Sequence, residues 1–385
     1  MTAIQESESL HQRVRAFARE GSDSPQAFEA MALEIAQFQA RYAPGFRRLV
    51  EERGASLDRL EAIPAVPCDA FRIARVAVHP PAADEVRFVT SGTTGAPGTH
   101  AMRTTQTYRE LAFAYGSLAL TSAWCGPRVV VALAPDPGTR PQSSLGFMLR
   151  IFMEAFDGRA LARDPVGARF DARCSGRWLA DASGVDVRGL RRAALVARER
   201  GEPLLVLATS FALVSLLDAL AGAKVPSPGR TVVMQTGGFK GRTRAVAPDR
   251  LRAAVARAFC VPPTQVVGEY GMTELTSQLY EGGIEGGALP GQPGIYYPPP
   301  WLRIVPVDPA TLEPVADGQP GIARIIDLGN VDSAVAIVAQ DVVRCVGEGI
   351  ELLGRRPGAP PRGCSLALES LVPADSAWTG GRCSQ

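Results

Sequence analysis

The feature that most constrains the fold of this chain is a series of short apolar runs, each followed by a turn-forming loop. The runs lie at residues 128–134, 204–209, 231–236 and 265–267, and helical patterns separate them. Strands that alternate with helices predict an α/β fold, with a mostly parallel sheet covered by helices on both faces. Because ligands of such sheets bind at the carboxyl ends of strands, we expect the functional residues in these loops.

The length of 385 residues exceeds the usual size of one domain, and a hydrophobic content of 46% suffices for a large core. Helical spacing dominates residues 5–60, where Ser24 before Pro25 predicts a helix start. From residue 282 onward, glycine, proline and short strands predict a small β-rich subdomain. The predicted organisation is a helical segment at 1–60, an α/β core at 61–285, the β-rich subdomain at 286–355 and a short C-terminal remnant at 356–385.

Composition and charge exclude several classes of protein. A net charge of +2 indicates no nucleic-acid partner. No run of about 18 apolar residues predicts a transmembrane segment, and the N-terminus lacks the basic leader and apolar core of a signal peptide. Seven cysteines without CxxC spacing and three histidines exclude a zinc site and a His-rich metal centre. We therefore expect a cytoplasmic protein with reduced thiols.

The loop after the β-favouring residues 86–89 has the composition of an anion-binding loop. Glycine lets main-chain N–H groups approach an oxyanion closely, and Ser and Thr hydroxyls add donors. This composition predicts a polyphosphate ligand, although the same residue types also form ordinary turns. The candidate ligand residues are Thr90, Ser91, Gly92, Thr93, Thr94 and Gly95.

A second loop motif follows the apolar run at 265–267. It reads Gly268-Glu269-Tyr270-Gly271-Met272-Thr273-Glu274. Its aromatic ring, hydroxyl and carboxylate offer a stacking surface, a phosphate donor and an oxygen ligand for magnesium. A helix start capped by Thr273 or Glu274 is the alternative. Together the two loops offer what a Mg-nucleotide requires.

The pair of motifs, Ser-Gly-Thr-Thr-Gly at 91–95 and Tyr-Gly-Met-Thr-Glu at 270–274, resembles a known superfamily. This is the adenylate-forming superfamily of acyl-CoA synthetases, peptide-synthetase adenylation domains and luciferases. The resemblance implies that the chain uses ATP and Mg²⁺ to activate a carboxylic acid as acyl-AMP.

The resemblance also implies a role for each motif residue. Tyr270, followed by Gly271, is expected to lie on the adenine ring. Thr273 is expected to act in catalysis as a donor to the α-phosphate, and Glu274 to bind Mg²⁺. A glycine-rich edge beside the adenine and the acyl pocket, for which a simple helix cap is the alternative, is assigned to Gly237 and Gly238.

Residues 340–355 resemble the superfamily's Thr-Gly-Asp…Gly-Arg passage. The resemblance implies that Asp341 binds both ribose hydroxyls and that Arg355 lies at the hinge before a mobile C-terminal domain. Asp327 is a rival for the ribose carboxylate, and the fourteen-residue spacing to Arg355 favours Asp341. Gln340 is a departure, because glycine is commoner at that position.

Two further departures concern positive charge. Gly98-Thr99 stands where many relatives carry Pro-Lys-Gly, and no lysine follows Lys240, so the superfamily's C-terminal catalytic lysine is missing. The resemblance therefore implies a C-terminal lid domain that is truncated or absent. His100 is a catalytic candidate for contact with phosphate or the substrate carboxylate, and a surface or capping histidine is the alternative.

The passage Arg362-Gly363-Cys364 resembles the end of acyl-protein synthetases, the fatty-acid-activating component of bacterial bioluminescence. Members of that branch pass the acyl group from acyl-AMP to a cysteine and then to an acyl reductase partner. The resemblance implies that Cys364 is the catalytic nucleophile, with Arg362 favouring its thiolate. A chemically inert buried cysteine is the alternative.

The combined prediction is an acyl-protein synthetase that activates a fatty acid and transfers it to a protein cysteine. A second hypothesis is an adenylate-forming ligase that delivers an aromatic or other small acid to CoA, a carrier protein or an amine. A third is a nucleotide- or acyl-binding scaffold without catalysis. Intact Thr273, Glu274 and Asp341 argue against loss of catalysis, and the missing lysine argues for it.

Overall fold

A computed structural model of the chain describes residues 2–21, 23–90, 97–124, 126–156, 177–237 and 246–357. The first three elements of the chain are helices, and Ser24 caps the second of them, as predicted. The helices are α1 (Ala3–Glu20), α2 (Pro25–Tyr42), α3 (Pro44–Arg53), α4 (Ala70–Ile73), α5 (Gln106–Leu120), α6 (Ser144–Phe156), α7 (Val187–Arg200), α8 (Ser210–Leu220) and α9 (Pro248–Phe259).

The strands alternate with these helices in the middle of the chain and follow one another toward its end. They are β1 (Val66–Pro67), β2 (Val86–Val89), β3 (Thr99–Met102), β4 (Val129–Leu133), β5 (Ala180–Asp181), β6 (Gly184–Val185), β7 (Leu204–Thr209), β8 (Val232–Thr236), β9 (Val266–Tyr270), β10 (Leu279–Glu281), β11 (Ile295–Tyr297), β12 (Leu302–Val307), β13 (Gly321–Asp327), β14 (Ala336–Val346) and β15 (Gly349–Arg355).

One large mixed sheet organises the described ranges, in the order β12-β13-β14-β15-β11-β10-β9-β8-β7-β4, with β1 paired to β14. Strands β4, β7, β8 and β9 run parallel to one another. In the rest of the sheet, from β10 to β12 in the order given above, neighbouring strands pair antiparallel. The predicted α/β class is confirmed. Since β10 joins β9 to β11, the strands of the predicted β-rich region continue the sheet of the core. The domain boundaries stay a prediction.

Helices cover both faces of the parallel half of the sheet. Side chains that alternate along its strands are therefore buried on both sides. Leu205, Leu207 and Met234 pack on the side of α5 and α6, whereas Val206 and Val233 pack on the side of α7, α8 and α9. This double burial explains why the strands read as uninterrupted apolar runs. Within the described ranges, no helix has both the length and the apolar character needed to cross a bilayer.

A buried ion pair joins α9 to the place where the sheet changes from parallel to antiparallel. Arg252 donates to the two carboxylate oxygens of Glu281 on β10, at 2.7 and 2.6 Å. Glu281 also accepts from the backbone N–H groups of Gly268 and Gly294. Four donors thus offset the cost of burying this carboxylate. Gly268 has to be glycine, because a Cβ there would lie 2.7 Å from the Glu281 carboxyl carbon.

We expect Arg252→Ala to lower the free energy of unfolding by about 3–5 kcal/mol, because it leaves the buried Glu281 carboxylate without its cation. Urea titration measures this change. The matched control is Arg250→Ala, which removes an exposed guanidinium from the same helix and is expected to cost less than about 0.5 kcal/mol. Equal losses for the two variants would show that the ion pair does not hold this junction.

Candidate active site

The site predicted from the sequence lies at the carboxyl ends of β8 and β9. Gly237 follows β8 directly and has a positive φ of 74°, which glycine adopts without strain. The Ser210 hydroxyl donates to the Gly237 carbonyl and so fixes the loop at its first residue. Tyr270 is the last residue of β9. This placement agrees with the rule that ligands of α/β sheets bind at the carboxyl ends of strands.

The two ends of the predicted phosphate loop are held together. The backbone N–H of Gly98 donates to Thr90 Oγ1 at 2.7 Å, and the Thr90 N–H donates to the Gly98 carbonyl at 2.8 Å. Thr90 therefore closes the base of the loop. The predicted phosphate ligands between these ends, which lie outside the described residues, are Ser91, Gly92, Thr93, Thr94 and Gly95. The predicted site residues Gly238 and Cys364 also lie outside them.

The stretch after Tyr270 is a tightly packed turn, and no helix begins between residues 271 and 278. The alternative of a capped helix start is therefore wrong for this described stretch. Thr273 and Glu274 are both buried. Ser144, the first residue of α6, places its hydroxyl oxygen 3.2 Å from Thr273 Oγ1. Two hydroxyl groups thus meet where α6 begins.

His100 lies beneath Thr273 and is only 2% exposed. Its Nδ1–H donates to the Thr273 carbonyl at 2.7 Å, and its Nε2 accepts from the Ser333 hydroxyl at 3.0 Å. Burial lowers the pKa of His100 to about 4, so the ring is neutral at physiological pH and its Nε2 is an acceptor. In this structure His100 holds the Thr273 backbone, because both ring nitrogens are engaged inside the protein.

Glu274 is positioned through its backbone by Asn330. The Asn330 amide donates to the carbonyls of Glu274 and Ala334, at 2.9 and 3.0 Å. The Asn330 side-chain oxygen accepts from the Thr276 hydroxyl at 2.7 Å. Sequence reasoning missed this residue, since its contacts connect positions far apart in the chain.

Asp327, the rival for the ribose carboxylate, is fully buried. It accepts from the backbone N–H groups of Thr276, Ser277 and Gly329, and from the Ser277 hydroxyl. Burial raises the pKa of Asp327 and these hydrogen bonds oppose the rise. Because its oxygens already accept four internal hydrogen bonds, Asp327 supports the turn rather than facing ligand space.

Asp341, the preferred ribose carboxylate, meets Tyr270 and Arg355. The Tyr270 hydroxyl donates to Asp341 Oδ2 at 2.9 Å, and an Arg355 nitrogen lies 3.7 Å from Asp341 Oδ1. Asp341 and Arg355 are direct partners across the β14–β15 hairpin, which explains their spacing in the sequence. Burial, with the adjacent Asp341 charge, raises the pKa of Tyr270 well above its ordinary value. The described structure thus brings three predicted nucleotide-binding residues together.

Glu269 was present in the motif but drew no prediction, although it is buried at the same edge. It accepts from the Thr236 hydroxyl, and burial raises its pKa to about 7 despite this hydrogen bond. A Cβ on Gly271 would lie 2.7 Å from Glu269 Oε1. The close approach of this carboxylate therefore gives Gly271 an internal reason to be glycine.

Comparison with known proteins identifies the fold. No protein-family model matches the sequence, and no curated protein matches it. An open conformation of 2-hydroxyisobutyryl-CoA ligase, in complex with 2-HIB-AMP and CoA, superposes with a TM-score of 0.58 at 14% identity, over 84% of this chain and 73% of that one. The chain therefore has the same fold as this ligase.

Two other solved structures are also similar to this chain. The same ligase in its thioesterification state gives a TM-score of 0.54 at 15% identity and covers 92% of this chain and 69% of that one. ATP-bound MatB from Rhodopseudomonas palustris gives a TM-score of 0.46 at 15% identity and covers 71% of this chain. This chain spans about half, 48%, of the MatB chain.

The buried Glu269 gives a prediction for the pH dependence of stability. Its pKa is raised from 4.5 to about 7 on folding, so the folded state holds the proton more tightly. The resulting stabilisation is present below pH 4.5 and is lost as the pH rises through 7. Between these two pH values, we expect the free energy of unfolding of wild type to fall by on the order of 3 kcal/mol relative to that of Glu269→Gln.

Urea titrations of wild type and Glu269→Gln at several pH values measure this difference. Other titrating groups cancel, because both proteins contain them. The exposed substitution Glu199→Gln is the control and is expected to leave the pH profile of wild type unchanged. Parallel profiles for wild type and Glu269→Gln would mean that Glu269 ionises as an ordinary carboxylate.

Proposed function

We propose that this chain activates a carboxylic acid with ATP, forming an acyl adenylate and releasing pyrophosphate. The observation that carries the proposal is the meeting of Tyr270, Asp341 and Arg355 beside the buried Thr273–Glu274 turn, at the carboxyl ends of the central strands. The fold shared with a CoA ligase supports it. In this reaction a carboxylate oxygen bonds to the α-phosphorus, and the bond from that phosphorus to pyrophosphate breaks.

Different residues would bind different parts of the nucleotide. The Tyr270 ring offers a face for adenine, and Asp341 offers acceptors for the ribose hydroxyls. Thr273 would donate to the α-phosphate, held in place by the contact of its carbonyl with His100. The rest of the nucleotide would be held by Thr90, Ser91, Gly92, Thr93, Thr94, Gly95, Gly237, Gly238, Gly271 and Arg355.

Glu274 would hold Mg²⁺ together with the phosphates. Magnesium is usually bound by one or two carboxylates plus phosphate oxygens, so a single carboxylate fits it. The described residues contain no cluster of three or more His, Cys, Asp or Glu side chains that could bind a metal alone. Mg²⁺ would supply charge neutralisation at the phosphates. Asn330 fixes the Glu274 backbone from which that carboxylate extends.

The resemblance to acyl-protein synthetases supports a fatty acid as substrate and Cys364 as acceptor. The thiolate would attack the acyl carbon, forming the thioester as AMP leaves. An acyl reductase would then be the partner that receives the group. This assignment rests on the sequence around Arg362 and Cys364.

A specific packing contact favours a second candidate, a small or aromatic acid delivered to CoA, a carrier protein or an amine. The Phe152 ring of α6 lies against Gly116 of α5, where a Cβ would be only 2.7 Å from the ring. The Tyr280 oxygen lies 3.5 Å from the same place, so the layer between these helices and the sheet is closely packed at this point. A long alkyl chain could extend through that layer only if Phe152 moved, whereas a small acid needs less space there.

Acid-dependent exchange of labelled pyrophosphate into ATP tests the proposed function. We expect exchange with at least one acid of a panel that includes tetradecanoate and hydroxybenzoates. Asp341→Asn removes a charged acceptor, so we expect the KM for ATP to rise on the order of tenfold or more. Asp317→Asn, an exposed control, should leave that KM unchanged. ATP binding without exchange for any acid would contradict the proposal and favour a scaffold.

The acceptor is tested by intact mass after incubation with ATP, Mg²⁺ and the active acid. Transfer to Cys364 predicts an added acyl mass that is removed by hydroxylamine and is absent from Cys364→Ser. The exposed Cys260→Ser is the matched control and should still become acylated. Exchange activity without any added mass would move the acceptor to another molecule.

A further inference from the structure

Three buried polar side chains form a row across adjacent strands near the candidate active site. Thr236 on β8 pairs with Glu269 on β9, and Glu269 pairs with Tyr280 on β10. Directly paired residues in a sheet point to the same face, so the three side chains are neighbours. The hydrogen bond from Thr236 to Glu269 agrees with this arrangement. We call these residues the Thr236–Glu269–Tyr280 row.

The row lies at the edge of the sheet where the ligand is expected. Thr236 directly precedes Gly237, and Glu269 directly precedes Tyr270. Its side chains face α5 and α6, because the Tyr280 oxygen lies 3.5 Å from the place of a Cβ on Gly116 of α5. The hydroxyls of Ser144 and Thr273 meet where α6 begins, at the same carboxyl edge.

The described residues use little of the hydrogen-bonding capacity of this row. The Tyr280 hydroxyl is fully buried and has no hydrogen-bond partner among the described residues. Glu269 is 5% exposed. Among the described residues, its carboxylate accepts a hydrogen bond from Thr236. Burial raises the pKa of Glu269 and, together with the Glu269 charge, that of Tyr280. Buried polar groups normally find partners, so such a pair requires an explanation.

We propose that the Thr236–Glu269–Tyr280 row recognises a hydrogen-bond-donating group, a hydroxyl or an amine, on the carboxylic acid that the chain activates. This inference rests on the proposed function and specifies its substrate class. Glu269 accepts from the donor, and the Tyr280 hydroxyl can either accept or donate. An acid with a plain hydrocarbon tail leaves both groups unsatisfied in a dry environment, which selects against it.

Matched pairs of acids test the proposal independently of chain length and aromaticity. The pairs are 3-hydroxytetradecanoate with tetradecanoate, 4-hydroxybenzoate with benzoate, and 3-aminopropanoate with propanoate. Pyrophosphate exchange with the full-length chain gives kcat/KM for each acid. We expect the donor-bearing member of at least one pair to be preferred by on the order of 10²-fold or more.

Two conservative variants locate the preference. Glu269→Gln removes the charge but keeps an acceptor, and Tyr280→Phe removes only the hydroxyl that has no partner among the described residues. Each should lower the preference on the order of tenfold. Glu199→Gln is the control for Glu269, and should leave the preference unchanged. With an amine-bearing acid, Glu269→Gln should have the larger effect, whereas with a hydroxy acid the two effects should be similar.

Thermal unfolding separates recognition from a structural role. Because no described partner is lost, Tyr280→Phe should leave the melting temperature unchanged or raise it while it lowers the preference. A preference that survives both variants would overturn the inference, and so would equal kcat/KM values within every pair while exchange itself is active. In those cases the proposed function stands. Absence of exchange with every acid, with ATP still bound, overturns both.

Discussion

The buried loop between β13 and β14 is the constraint on which the candidate site depends. Asn330 in this loop holds the Glu274 carbonyl, and Ser333 holds the His100 ring that in turn holds Thr273. The N-terminal helices hold the loop from the other side. Gln39 of α2 donates to the carbonyls of residues 330 and 331, and His11 of α1 bonds to Asp332. The turn that carries Thr273 and Glu274 is thus fixed by contacts that extend to the first helix.

This arrangement explains why one continuous sheet can carry the site. The parallel strands end at the loops that would hold the nucleotide, and the antiparallel strands bring Asp341 and Arg355 to the same place by pairing across a hairpin. Strand β10 joins the two halves, and the Arg252–Glu281 ion pair anchors it to α9. Since Tyr270 lies on β9, next to this junction, its contact with Asp341 depends on the register of both halves.

The sequence predicted the local structure better than the long-range contacts. Apolar runs bounded by turns identified β4, β7, β8 and β9. Strand β14 continues to Val346, beyond the apolar residues at its start, because β15 pairs with its second half. The contacts of Asn330 with Glu274 and Thr276, and of Asp332 with His11, could not be predicted, since these partners lie far away along the chain. The contact between Asp341 and Arg355 was predictable, because a hairpin brings residues that are close in sequence into direct contact.

The buried polar groups around the candidate site differ in whether the protein satisfies them. In the β13–β14 region, Asp327 and Asn330 each bond to several protein groups, and neither leaves an unpaired side-chain atom. At the carboxyl edge, by contrast, Arg355 Nε and the Tyr280 hydroxyl are buried without partners among the described residues. An unpaired buried donor destabilises the fold, so these two groups lower stability unless something binds them. A ligand that paired with them would recover that free energy on binding, and this would couple occupation of the site to the stability of the whole sheet.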